Sequence, residues 1–172
     1  YKKFWIKLVK KILEDGQKFG LKNIGDNKKV NIEFVSANPT GPLHVGHTRG
    51  AIFGDVLANL LNKVGFIVTR EYYINDAGTQ IDSLARSAYS RYQEALGKEY
   101  NANENEYPGD YLKIVGQKLK EEFGETLISI SDNNNLEKIK EYTIKIMIHE
   151  IKKDLSDLGV FMDSFVSESS LY

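Results

Sequence analysis

Hydrophobic positions change their spacing several times along the first half of the chain, and each change marks an element boundary. Phe4, Trp5, Leu8, Val9, Ile12 and Leu13 recur at helical spacing among lysines, predicting a first helix with one apolar stripe that needs a partner surface. Gly16, Gly20 and Gly25 punctuate its end, and the polar run Asn23 to Lys29 is expected as a linker or loop. At Val30 the pattern shifts to β-branched and aromatic residues, and Val30, Ile32, Phe34 and Val35 predict a strand. Ser36 to Pro42 holds two prolines and a glycine and must be a loop. From Gly46 to about Val64, Ile52, Val56, Leu60 and Val64 recur at every fourth position beside Phe53, Leu57 and Leu61, which predicts a well-buried helix. Gly65 closes it, and Phe66, Ile67, Val68, Arg70, Tyr72 and Tyr73 predict a second strand.

Strand, helix and strand in such a short span form a βαβ unit with parallel strands and a right-handed crossover. Ligands bind such units beyond the carboxyl ends of the strands, where Ser36 to His47 and Asn75 to Gln80 both fall. Further helices are expected over Asp76 to Leu96, Tyr107 to Phe123 and Leu136 to Leu158, with polar breaks at Gly97 to Glu106 and Ser129 to Asn135. Val160 to Val166 reads as a short third strand. The fold class is therefore α/β: an incomplete Rossmann-like parallel sheet, the nucleotide-binding half, with a helical insertion. The expected divisions are a helix and linker over 1–27, the nucleotide-binding half over 28–96, the helical insertion over 97–158 and the start of a further strand over 159–172.

At 172 residues the chain is long enough for one real core. It has no run of apolar residues long enough for a membrane span. It also has no cysteine, which excludes disulfides and thiolate metal sites and fits a cytoplasmic setting. The formal charge of -1 hides an asymmetry: residues 1–29 carry nine lysines against three acids, and residues 98–172 nine lysines against fifteen acids. The basic end suits either nucleic acid or a solvated helix face. With no initiator methionine at Tyr1, the chain is expected to be a fragment of a longer protein.

The chemistry concentrates where the first strand gives way to the buried helix. His44 and His47 stand two residues apart there, with Gly46 between them. Unpaired N–H groups at a helix N-terminus suit an anion such as a triphosphate. Imidazoles can donate to phosphate oxygens as charge develops on them. Gly46 permits close approach, and Thr48 and Arg49 can add polar contacts. Two other readings stand beside this one. The histidines could cap the helix with no ligand, or they could bind a metal, although only His149 could join them as a third imidazole.

Glu33-Phe34-Val35-Ser36-Ala37-Asn38-Pro39-Thr40-Gly41-Pro42-Leu43-His44-Val45-Gly46-His47 resembles the signature region of arginyl-tRNA synthetases, class I enzymes whose H-I-G-H motif opens a Rossmann catalytic domain. The similarity continues through Arg49, Gly54-Asp55 and Leu60, and through Glu71-Tyr72-Tyr73-Ile74-Asn75-Asp76-Ala77-Gly78-Thr79-Gln80. It is looser at Tyr107 to Leu112 and from Asp154-Leu155 to Ser167-Glu168-Ser169, and residues 1–27 look like the exit from the family's N-terminal tRNA-contacting domain.

The resemblance implies roles for individual residues. His44 and His47 would be catalytic, binding ATP phosphates and stabilising the adenylate-forming transition state, with Gly46 beside the adenine. Ser36 and Asn38, with His44, would hold the amino and carboxylate end of arginine, and Glu33 would face its guanidinium, whose fork of donors rewards a carboxylate partner. Asp76, Gly78 and Gln80 would lie near the nucleotide in an element often written G-D-W-G-x-Q, although here Asn75 replaces the first glycine and Ala77 the tryptophan. Gly41 stands where many members place a lysine, and those members tend to lack a full K-M-S-K-S loop, so an ordinary one is expected downstream in the parent.

The implied activity is ATP- and Mg2+-dependent activation of arginine and its transfer to tRNA(Arg), with no membrane partner, by a monomer in the cytoplasm. A nucleotidyltransferase with the same H-x-G-H turn, or a non-catalytic tRNA-binding module derived from a synthetase, are the alternatives. The 172 residues hold neither a K-M-S-K-S loop nor an anticodon-binding domain. By themselves they are expected to form no arginyl-tRNA, and measurable charging by this chain alone in an aminoacylation assay would refute that.

Overall fold

The computed structural model describes residues 1–100, 106–128 and 133–171. Three strands, β1 (Lys29–Glu33), β2 (Ile67–Ile74) and β3 (Ser164–Ser167), form a sheet in the order β1-β2-β3. Both pairings are parallel: Glu33 lies opposite Glu71, and Ile74 lies opposite Ser167. The carboxyl ends of all three strands therefore open on the same edge of the sheet, as the βαβ reading requires. Helix α2 (Val45–Lys63) joins β1 to β2; α3 (Thr79–Ala95), α4 (Tyr111–Phe123) and α5 (Asn133–Asp157) lie between β2 and β3. The expected breaks at 97–106 and 129–135 fall partly outside the described residues.

Two cores share helix α5. Up to Met147, it packs Ile139, Ile146 and Met147 against Leu84, Ala88 and Tyr92 of α3 and Leu112, Val115 and Leu119 of α4. Its second half sends Ile151 and Leu155 against Tyr72, Ile74 and Ala51 beside the sheet. One continuous helix thus ties the helical segment to the sheet.

Helix α2 is where the hydrophobic pattern misleads. Ile52, Phe53, Val56, Leu57 and Leu60 are exposed, and the buried positions are Ala51, Gly54 and Ala58. The helix packs through its small residues because the Phe34 ring occupies the space a side chain would need: a Cβ on Gly54 would lie 2.2 Å from Phe34 Cγ. Periodicity in large apolar residues identified the helix correctly, but the burial it led one to expect for those residues is not found. A polar lock completes the joint. Arg70 on β2 donates to Asp55 at 3.1 Å and to Asn59 at 2.8 Å, and Asn59 donates to Asp55 at 2.8 Å.

Other elements depart from the expected boundaries in smaller ways. Helix α3 starts at Thr79 instead of Asp76, because Asp76 is engaged elsewhere, and β3 starts at Ser164, later than Val160. β1 ends at Glu33, short of the expected Val35, because the chain turns sharply there. The segment read as a linker is docked: Lys22, Gly25 and Asn27 donate their backbone N–H groups to the carbonyls of Lys63, Val64 and Gly65. Helix α1 (Lys2–Asp15) buries none of its residues, and its stripe of Phe4, Trp5, Val9, Ile12 and Leu13 is exposed.

Gly54→Ala should destabilise the protein. Alanine gains about 1 kcal/mol of intrinsic helix propensity, but overpacking against Phe34 costs typically 1–3 kcal/mol. The expected outcome is a lower denaturation midpoint by circular dichroism; an unchanged or raised midpoint would show that the helix can move off Phe34 at no cost.

Candidate active site

The site begins with a sharp reversal after β1. Val35 and Ser36 take positive φ angles of 68° and 41°, and Ser36 N donates to Phe34 O at 3.0 Å, an i to i+2 bond that makes Val35 the centre of a strained γ-turn. A β-branched residue in this region costs on the order of 1–3 kcal/mol and persists only when its surroundings over-determine it. Here they do. The Ser36 hydroxyl accepts from Tyr73 N at 3.1 Å, and the Tyr72 hydroxyl donates to Ala37 O at 2.8 Å. Burial pushes the Tyr72 phenol up to about 12, so it remains a donor throughout the physiological range.

Beyond that reversal, Asn38 donates to Gln80 Oε1 at 2.7 Å, and Tyr111 of α4 donates to Thr40 O at 2.5 Å. Glu33, at the end of β1, is exposed, and no hydrogen bond or ion pair engages its carboxylate among the described residues. A cavity of about 380 Å³ is lined by Asn38, Thr40, Gly41, Pro42, His44 and His47. Its lining joins the polar loop to the histidine pair, and its size is in the range of small-molecule sites.

The histidines do cap the helix. His44 is the N-cap of α2; its Nδ1 accepts from Gly46 N at 3.1 Å, and His47 Nδ1 accepts from His44 N at 3.3 Å. The two rings stack with centroids 3.7 Å apart. This is a capping box built from imidazoles. Capping and ligand binding are compatible, because an Nδ1 that accepts a backbone hydrogen carries no proton, and each neutral ring must then carry its hydrogen on Nε2. Burial, followed by repulsion from His44 whenever that ring is protonated, lowers the pKa of His47 and favours its neutral form. The cap thus fixes the tautomer that presents an Nε2–H donor. A Cβ on Gly46 would stand 3.0 Å from the His44 ring, so glycine at this position keeps the cap open.

The second element divides in an unexpected way. Gln80 is held against Asn38, in the loop that carries the expected amino-acid contacts, although the resemblance had grouped it with ATP. Gly78 is exposed as the N-cap of α3 with φ 89°. Asp76 is turned toward the end of β3, accepting from the Ser167 hydroxyl at 2.5 Å, from Ser169 N at 3.0 Å and from the Ser169 hydroxyl at 3.2 Å. With the Asn75 amide oriented to donate, its Nδ2 lies 2.7 Å from Glu168 Oε2. Ser167, Glu168 and Ser169 therefore clamp the ends of β2 and β3 together. Reasoning from sequence gave these residues no role in the site, nor Tyr72 and Tyr111; the available signals were the family similarity that runs through them and a polar cluster directly after a strand's carboxyl end. No group of three or more His, Cys, Asp or Glu residues able to hold a metal occurs among the described residues.

Burial raises the pKa of Asp76, but the hydrogen bonds from Ser167 and Ser169 outweigh it, leaving the carboxyl below its ordinary 3.8. A depressed pKa contributes stability that is present above the unfolded value and is lost as pH falls through the folded value. Asp76→Asn should therefore be less stable than the parent at neutral pH, by about 1 kcal/mol. The gap should close in acid titrations carried below pH 3.8; a gap independent of pH would show that the charge of Asp76 does not hold the clamp.

Comparison with known proteins bears directly on this geometry. Residues 8–169 match the family model described as tRNA synthetases class I (R), catalytic domain. The chain is 55% identical over 167 residues to an arginine–tRNA ligase of Wolbachia pipientis subsp. Culex pipiens, covering 97% of this chain and 29% of that protein. It is 52% identical over 168 residues to that of Ruegeria pomeroyi, covering 98% of this chain and 29% of that protein. The chain thus spans less than a third of the length of these relatives. A solved structure described as an arginyl-tRNA synthetase of Campylobacter jejuni superimposes with a TM-score of 0.85 at 35% identity, over 100% of this chain and 38% of that one. The Thermus thermophilus arginyl-tRNA synthetase, at 21% identity and a TM-score of 0.51 over 87% of this chain and 24% of that one, shares the fold. A nucleotidyltransferase of another family is thereby set aside: with the family model running from 8 to 169 and a histidine-capped helix at the carboxyl edge of a parallel sheet, the chain belongs to the arginyl class I aminoacyl-tRNA synthetase family and represents part of its catalytic domain.

Proposed function

We propose that the full-length protein containing this chain activates arginine with ATP, giving arginyl-adenylate and pyrophosphate, and then transfers arginine to the terminal ribose of tRNA(Arg) in the cytoplasm. The observation that carries this reading is the histidine cap of α2, whose tautomers leave two Nε2–H donors on rings that line the same cavity as Asn38. Family membership adds the use of ATP and the choice of amino acid.

In this reading the triphosphate, with its Mg2+, lies at the N-terminus of α2, where backbone N–H groups and Gly46 allow close approach. His44 and His47 donate to phosphate oxygens as negative charge builds there. Ser36 and Asn38 hold the amino and carboxylate end of arginine so that a carboxylate oxygen attacks the α-phosphorus in line and pyrophosphate leaves. Glu33 receives the guanidinium; its exposed carboxylate at the end of β1 suits that task. Gly78 stays on the ATP side of α3, and Gln80 orients Asn38. Asp76 supports the site by holding the strand ends together.

Pyrophosphate exchange by the full-length protein in the presence of tRNA should depend on arginine and on no other amino acid. Exchange driven by another amino acid would overturn the assignment, and tRNA binding with no exchange would favour a non-catalytic module. His44→Asn keeps a residue that caps helices well and should lower kcat roughly 10²- to 10³-fold with little change in thermal midpoint. An unchanged kcat would remove the histidine from the mechanism.

A further inference from the structure

The turn from Ala37 to Thr40 carries Asn38, yet it belongs to no strand or helix. Its position is set by two phenol hydroxyls that reach it from different parts of the fold. Tyr72, on the central strand, donates to Ala37 O at 2.8 Å, and Tyr111, in the first turn of α4, donates to Thr40 O at 2.5 Å. Pro39 is fully buried between the two anchored carbonyls, and the Tyr111 ring lies in van der Waals range of where a Cβ on Gly41 would be.

The histidine pair needs neither tyrosine, because the cap of α2 is closed by its own imidazoles and backbone. Support for the two halves of the site is thus separate. Resting on the function proposed above, we infer that Tyr72 and Tyr111 are positioning residues that hold Ser36 and Asn38 in place for the amino acid. Through Tyr111 the helical segment between β2 and β3 takes part in recognising arginine. A packing role alone would reside in the rings: Tyr72 stacks on Phe165 with centroids 5.2 Å apart, and Tyr111 packs against the helical core. Phenylalanine preserves both rings and deletes only the tethering oxygens.

The test uses the full-length synthetase with Tyr72→Phe and Tyr111→Phe introduced separately. Arginine KM, ATP KM and kcat are measured by tRNA-dependent pyrophosphate exchange, together with the thermal midpoint. Each variant should raise the arginine KM roughly tenfold, since small displacements of positioning groups are costly, while the ATP KM stays within about twofold. A tyrosine whose variant leaves the arginine KM within about twofold, lowers only the thermal midpoint, or raises both KM values together is not a positioning residue. Tyr111→Phe, whose ring is only partly buried, decides the case if Tyr72→Phe does not fold. Failure of the unsubstituted enzyme to respond to arginine would instead overturn the proposed function, so the two failures are distinguishable.

Discussion

A phenol buried beneath a sheet must find a partner for its hydroxyl, and the partner available to Tyr72 is the carbonyl of Ala37. Much of the site follows from that one bond. Tyr72 lies on the central strand, fully buried against α5 and Phe165, so its oxygen is fixed by the core. To bring Ala37 O within reach, the chain leaving β1 must turn back toward the end of β2. The γ-turn at Val35 makes that turn, and the Ser36 hydroxyl on Tyr73 N secures it. Local strain at Val35 is offset by bonds made one and two residues later, at Ser36 and Ala37.

The two halves of the site are held by different physics. The histidine end relies on a helix terminus, where a short local motif satisfies N–H groups that would otherwise be unpaired and fixes two imidazole tautomers. The loop after β1 relies on contacts between residues far apart in sequence: Asn38 with Gln80, Ala37 with Tyr72, Thr40 with Tyr111. The clamp of Asp76 on Ser167 and Ser169 is also long-range, bringing together strand ends whose intervening chain forms three helices.

The same contrast explains what could be read in advance. The order of strands and helices, the parallel sheet and the placing of His44 and His47 at a helix start all followed from spacing, because period, turn chemistry and capping are local properties. The packing face of α2 did not. Its large apolar residues dominate the pattern, whereas the contact with the sheet is decided by the absence of a side chain at Gly54 opposite Phe34, and that pairing exists only once the helix and strand have met.

The polar network was the least legible part. Asp76 and Gln80 stand four residues apart and read as one nucleotide-binding element, yet their side chains serve different places, the end of β3 and the loop after β1. Sequence by itself determined the fold class, the family and the place of the histidine pair at a helix start, because each is written in neighbouring residues. Tertiary structure alone decided which tyrosines hold the loop, which carboxylate is a clamp and which stays exposed. A side chain's task depends on the partner that folding brings within about 3 Å of it, and that partner has no fixed distance along the chain.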